Sequence, residues 1–108
     1  DSYLRIADGF FMQKKYLLAS NYYKKAIQSD LFDVDYAIYQ HSIVLGLMGR
    51  NKEKLELLNR LENEFSESIY YDNSLFGIAE SYSLMGDIDK SLEYYNLVLE
   101  NSKDINSS

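Results

Sequence analysis

The sequence predicts an all-α protein built from three helix-turn-helix units, and three observations point to it. First, the 108 residues include no proline and only five dispersed glycines, so the punctuation of a strand-and-turn protein is missing. Second, apolar residues recur at helical spacing, as in Ile6, Phe10, Leu17, Ala19, Tyr23, Ala26 and Ile27, the stripe an amphipathic helix buries. Third, the chain is self-similar. Ala7, Ser42 and Ala79 fall in register at intervals of 35 and 37 residues. The same register aligns Phe10, Leu45 and Tyr82, then Tyr23, Leu58 and Tyr95, then Ala26, Leu61 and Val98.

Each unit therefore reads as two helices, expected at 2–13 and 16–29, 34–48 and 52–64, and 71–84 and 88–101. Gly49-Arg50-Asn51 and Gly86-Asp87 mark two of the inner turns. Glycine there takes the left-handed end of the first helix, and Asn or Asp caps the second. In the first unit Lys14-Lys15 stands at that place. Between units, Ser29-Asp30 with Asp33, and Ser66-Glu67-Ser68 with Asp72, supply side chains that favour turns and helix N-termini. The repeats are placed at about 1–33, 34–68 and 69–103, followed by a polar tail at 104–108.

These residues resemble the tetratricopeptide repeat over essentially 1–103. The first unit supplies Tyr3, Ile6-Ala7, Phe10, Tyr16, Ala19, Tyr23 and Ala26 to the family pattern; the third supplies Leu75, Ile78-Ala79, Tyr82, Gly86-Asp87, Ser91, Tyr95 and Val98-Leu99. The resemblance implies a right-handed α-solenoid of antiparallel helix pairs. A single pair cannot bury its own apolar stripe, so units stack, and small residues such as Ala7 and Ala19, or Ala79 and Ser91, let the paired helices approach. Two departures stand out. The closing proline of the pattern is replaced by Leu31, Ser66 and Lys103, and the middle unit carries Lys54 where the pattern has alanine. Either Lys54 lays its aliphatic stem along the seam, or, the arrangement favoured here, the second helix rotates to turn Leu55, Leu58 and Leu61 inward. The unit lengths and joining segments are similar to those of envelope proteins in this family, which implies a bacterial cell-envelope setting; cytoplasm and periplasm both stay open.

Composition narrows the function classes. A net charge of −6 argues against nucleic acid, whose affinity rests on a basic footprint; Lys14-Lys15 and Lys24-Lys25 read as solvated faces. The absence of cysteine removes disulfide and thiolate chemistry. No apolar run approaches the length of a membrane span. The chain begins Asp1-Ser2-Tyr3, without an initiator Met or a signal-peptide pattern, and reads as a fragment of something longer.

Candidates for chemistry are few. His41, the single histidine, has no zinc-ligand or nucleophile partner in a recognisable pattern and reads as a packing residue of a first helix. Asp30, Asp33 and Asp35 lack the glycine and the terminal glutamate of a calcium loop and read as helix-capping acids. Glu62, Glu64 and Glu67 read as a solvated acidic face rather than an acid-base pair. Most of the tyrosines fall on core positions of the repeat, notably Tyr3, Tyr16, Tyr23, Tyr82 and Tyr95. No catalytic residue, metal or cofactor is expected.

The resemblance instead implies a protein or peptide partner held on a concave face lined by the first helices. Mapped residue by residue, that face comprises Leu4, Asp8, Phe11, Met12, Tyr36, Tyr39, Ile43, Leu47, Phe76, Glu80 and Leu84. Leu4 and Asp8, Tyr39 and Ile43, and Phe76 and Glu80 stand where carboxylate-gripping relatives carry Lys, Asn or Arg. A groove that is apolar and edged by Asp8 and Glu80 favours a helix or extended segment with apolar anchors and some basic residues, and Tyr39 and Phe76 are the expected anchors. A second sticky surface is expected at the C-terminal end, where Tyr95, Val98 and Leu99 would take a further helix or a second copy. The expected function is a scaffold or adaptor. The alternative is a regulatory or sensory segment of a larger signalling protein, with the groove filled by its own chain.

Overall fold

A computed structural model describes residues 2–29 and 32–107, with side chains through residue 101. Six helices follow one another: α1 (Tyr3–Met12), α2 (Tyr16–Ser29), α3 (Val34–Leu47), α4 (Asn51–Glu64), α5 (Tyr71–Leu84) and α6 (Ile88–Ser107). No strand occurs among the described residues. Each helix packs on its neighbours in sequence, α1 on α2 through to α5 on α6, which gives an elongated body of 42 × 33 × 21 Å. This all-α helical-repeat architecture is the one expected.

The turns show how local chemistry sets the helix ends. Gly49 (φ 77) and Gly86 (φ 88) both adopt the left-handed conformation, which glycine takes at no steric cost. In the first unit Lys14 does the same work at φ 61, a conformation that disfavours a residue with a Cβ. Asp87 caps α6 as expected, its Oδ1 accepting from the Lys90 amide at 3.2 Å. Asn51 does not cap: it is already the first residue of α4, and Arg50 before it makes no side-chain cap bond. Asp33 sits at the N-cap of α3 in the left-handed conformation, also without a side-chain bond. Asp30, the remaining acid of that stretch, lies outside the described residues.

The C-terminal helix corrects one expectation. The last helix, expected at 88–101, runs as far as Ser107. Residues 101–107 contain neither glycine nor proline, so nothing in the local chemistry stops the helix once it is propagating.

Three apolar clusters run along the stack. Ala7, Ala19, Tyr23 and Val44 form the first, Val34, Ile38 and Leu61 the second, and Leu55, Leu58 and Ile78 the third. Helix α3 contributes to the first two from opposite ends, and half of its 14 residues are buried. On α6, by contrast, Ser91 is buried and, among its described side chains, no apolar residue is. The register residues Ala7, Ser42 and Ala79 are all sealed at the seams, where a larger side chain would hold the helices apart.

At the middle seam both expected features are present: the lysine stem lies along α3, and the leucines of α4 face inward. Lys54 faces α3 as Ala19 and Ser91 face their own partner helices. A Cβ built on Gly46 would come within 3.2 Å of both the Cδ and the Nζ of Lys54. The smallest residue of the seam has moved to the opposite helix, and Gly46 makes room for the lysine stem. Leu55, Leu58 and Leu61 are buried beside it.

The tyrosines divide in a way the repeat pattern does not show. Tyr23 is fully buried, but Tyr3 is 43% exposed, its ring 6.2 Å from that of Tyr22 and beneath the Lys25 ammonium at 5.6 Å. Tyr94, absent from the expected core set, donates to Glu62 at 3.0 Å across the junction of units two and three. Burial and that acceptor push its pKa up to about 12.

Candidate protein-binding site

The first helices α1, α3 and α5, with the linkers between units, enclose three shallow depressions on one face. The first, about 540 Å³, is lined by Leu4, Asp8, Asp33, Asp35, Tyr36, Glu67, Ser68, Ile69 and Tyr70. The second shares Asp8 and Tyr36 with it and adds Phe11, Met12 and Gln40. The third, between α3 and α5, is bordered by Tyr39, Ile43, Lys54, Asn73, Phe76 and Glu80 among others. Of the residues mapped to this face, only Leu47 and Leu84 line none of the three depressions. Both project into solvent, at 55% and 70% exposure.

Asp8 is the hub of the first two depressions. The Tyr23 hydroxyl, from the core, donates to its Oδ1, and the Tyr36 hydroxyl donates to Oδ2 at 3.1 Å. Burial, together with hydrogen bonding to that carboxylate, raises the pKa of both phenols, Tyr36 to about 12, so the two stay protonated donors. This ties the groove wall to the core across 28 residues of sequence between Asp8 and Tyr36. Tyr36 lies 5.8 Å from Tyr70, centroid to centroid.

Tyr39, expected as a free anchor, is instead committed to the fold. Its ring stacks on Tyr70 at 5.1 Å and 18°, and it packs against both the second and the third cluster. Phe76 meets the ring of Tyr95 edge-on at 5.6 Å yet leaves 47% of its surface exposed, while Met12 leaves 86%. Both are accessible apolar side chains within the depressions.

Sequence reasoning missed the linker residues Asp33, Asp35, Glu67, Ser68, Ile69 and Tyr70 as part of this face. The signal was present in the repeat itself: residues about one repeat apart come together on neighbouring units. Ser68 donates to the Asp35 carboxylate from 33 positions away, and the same hydroxyl accepts from the Tyr70 amide at 3.0 Å.

His41 lies away from this face and packs as expected. It is buried, its Nε2 lies 2.8 Å from the Ser20 hydroxyl, and its ring stacks on Tyr23 at 6.4 Å. Burial, and secondarily the Lys24 charge, lowers its pKa to about 4, which holds the ring neutral at ordinary pH. At the C-terminal end Tyr95 and Val98 are half-buried. Among the described side chains of α6, the apolar ones left open are Ile88, Leu92, Leu97 and Leu99. Among the described residues, no three His, Cys, Asp or Glu side chains are grouped to hold a metal ion, and no helix is long and apolar enough to cross a membrane.

Comparison with known proteins agrees with this architecture. A family model described as a tetratricopeptide repeat matches residues 73–104, the third unit. No curated protein matches in sequence. Among solved structures, that of MamA superimposes with a TM-score of 0.85 at 18% identity over 98% of this chain, which spans 60% of the MamA chain. The TPR domain of Arabidopsis FLU superimposes with a TM-score of 0.80 at 19% identity, covering 94% of this chain and 92% of that one. The third unit thus matches a tetratricopeptide repeat by sequence, and the chain as a whole shares the helical-repeat fold of these structures.

Proposed function

We propose that this chain is a protein-interaction scaffold or adaptor that holds a peptide or helical segment of a partner protein across the face formed by α1, α3 and α5. The observation that carries the reading is continuity. The depressions bordered by Leu4, Asp8, Phe11, Met12, Tyr36, Ile43, Phe76 and Glu80 follow one another along one side of the stack, as a groove for an elongated ligand requires. Exposed apolar side chains within that path, Met12 and Phe76, supply anchors whose desolvation stabilises a complex. The Tyr23–Asp8–Tyr36 side-chain bonds tie α1, α2 and α3 together at the Met12 end of that path, which limits the ordering cost of binding there.

The test is selective capture. The wild-type chain, a Met12→Glu/Phe76→Glu variant and an outer-face Lys24→Glu/Lys25→Glu variant are immobilised, shown by circular dichroism to be equally helical, and exposed to lysate of the source cells. Proteins held by the wild type and the outer-face variant but lost from the groove variant support the reading. Capture that survives the groove substitutions contradicts it.

A further inference from the structure

The groove is not uniform in charge, and the difference defines what it accepts. Its first two depressions are lined by four carboxylates, Asp8, Asp33, Asp35 and Glu67, and by no lysine or arginine. The third carries one carboxylate, Glu80, and one ammonium, Lys54. The hydrogen-bond partners of the inner acids are hydroxyls: Tyr23 and Tyr36 for Asp8, Ser68 for Asp35. A hydroxyl orients a carboxylate without neutralising it, so these bonds leave the negative charge in place. Beside these acids stand the rings of Tyr36 and Tyr70 and two apolar side chains that face solvent, Met12 at 86% and Ile69 at 84% exposure.

We infer, resting on the groove reading above, that the half of the groove between units one and two takes an arginine or lysine side chain of a partner protein segment, flanked by apolar residues. A guanidinium laid on a tyrosine ring gains cation–π attraction, and carboxylates around its rim accept its fixed fork of donors. The neighbouring Met12 and Ile69 then cover apolar residues to either side of the cation. A bare metal ion does not fit the same acids, because among the described residues no three are close enough to ligate one. The third depression, with Phe76 exposed and its charges balanced, takes an apolar residue of the same segment. The groove thus has a direction: cation at the α1–α3 end, apolar anchor at the α5 end.

The probe is a random-peptide phage library selected on the intact chain at physiological salt, followed by titration of the selected peptides as synthetic, fluorescently labelled molecules. Two variants of equal charge change separate the groove from simple acidity: Asp33→Asn/Glu67→Gln at the depression and Glu53→Gln/Glu56→Gln on the outer face. The inference predicts peptides that pair Arg or Lys with Leu, Ile or Phe. Their affinity should fall about tenfold in the depression variant, stay unchanged in the outer-face variant, and fall comparably when the peptide's arginine is replaced by glutamine. Peptides that require Met12 and Phe76 but no cation would overturn the inference and leave the groove reading standing. Equal weakening by both charge variants would overturn it as well, since the attraction would then be to the protein's overall charge. Recovery of no groove-dependent peptide, or light scattering that shows a second copy filling the groove, would overturn the inference and the partner reading together.

Discussion

In the middle and third units, agreement with the repeat pattern and burial diverge in opposite senses. The middle unit departs most from it in sequence, with Lys54 at a position meant for alanine, yet its helix α3 is the most thoroughly buried of the six. The third unit is the one the family model matches, yet α6 leaves Ile88, Leu92 and Leu99 more than half exposed. The pattern records contacts within a helix pair, whereas burial follows position in the stack. A unit covered on both sides gains from two neighbours, and that gain tolerates a poor residue at one seam position provided the facing residue, here Gly46, gives way.

This contrast can be tested by register-matched truncation, which carries the largest expected effect. Leu61 and Val98 occupy the same repeat position, but Leu61 is fully buried and Val98 only half so. Leu61→Ala is expected to cost about 2–5 kcal/mol through lost transfer free energy and the cavity left behind. Val98→Ala should cost roughly 1 kcal/mol. Urea unfolding of both variants checks the difference, and equal costs would break the argument from stacking.

A second prediction concerns pH. The folded-state pKa of His41 is depressed from 6.5 to about 4, first by burial and then by the Lys24 charge. The unfolded chain therefore binds the proton first as pH falls. Stability from this group is complete above about pH 6.5, declines as pH drops to about 4, and is constant below, amounting to at most about 3 kcal/mol. A His41→Gln variant should lack this component, so the wild-type-minus-variant difference in unfolding free energy should slope only within that window.

Two glycines separate close packing from helix propensity. A Cβ on Gly77 would lie 2.8 Å from Cδ1 of the buried Leu58, so Gly77→Ala should cost about 1–3 kcal/mol as the α4–α5 seam is forced open. Gly9, inside α1, has nothing within 4 Å of that position, and Gly9→Ala should instead stabilise by roughly 0.5–1 kcal/mol. The smallest effect is expected at the first inner turn. Lys14→Gly, at φ 61, should relieve the left-handed strain and stabilise by up to about 1 kcal/mol, offset by the added freedom of the unfolded chain. Thermal unfolding orders all three.

The helices were legible because the signals are local. Apolar spacing marks their faces, and Gly49 and Gly86 mark two turns at the angles that glycine alone takes readily. The missed end of α6 has a local cause too: 101–107 contains no stop signal, and polarity alone does not end a helix. The groove was legible only in part, since its first-helix residues follow from the repeat register but its acids do not. Asp35 meets Ser68, and Asp8 meets Tyr36, across roughly one repeat length, and such pairings depend on how units rotate against one another. Tyr39 shows the opposite error: a residue at a ligand-facing position whose ring is taken up by Tyr70, a linker residue with no place in the pattern.

The most direct test of the working surface is an NMR titration of the isotope-labelled 12.6 kDa chain with a selected Arg-containing peptide. The account predicts that amide shifts change along α1, α3 and α5 and in the linker around Glu67–Tyr70, with the peptide's arginine end perturbing Asp35 and Tyr36 and its apolar end Phe76. Changes confined to α2, α4 and α6, or spread evenly over the acidic surface, would contradict it.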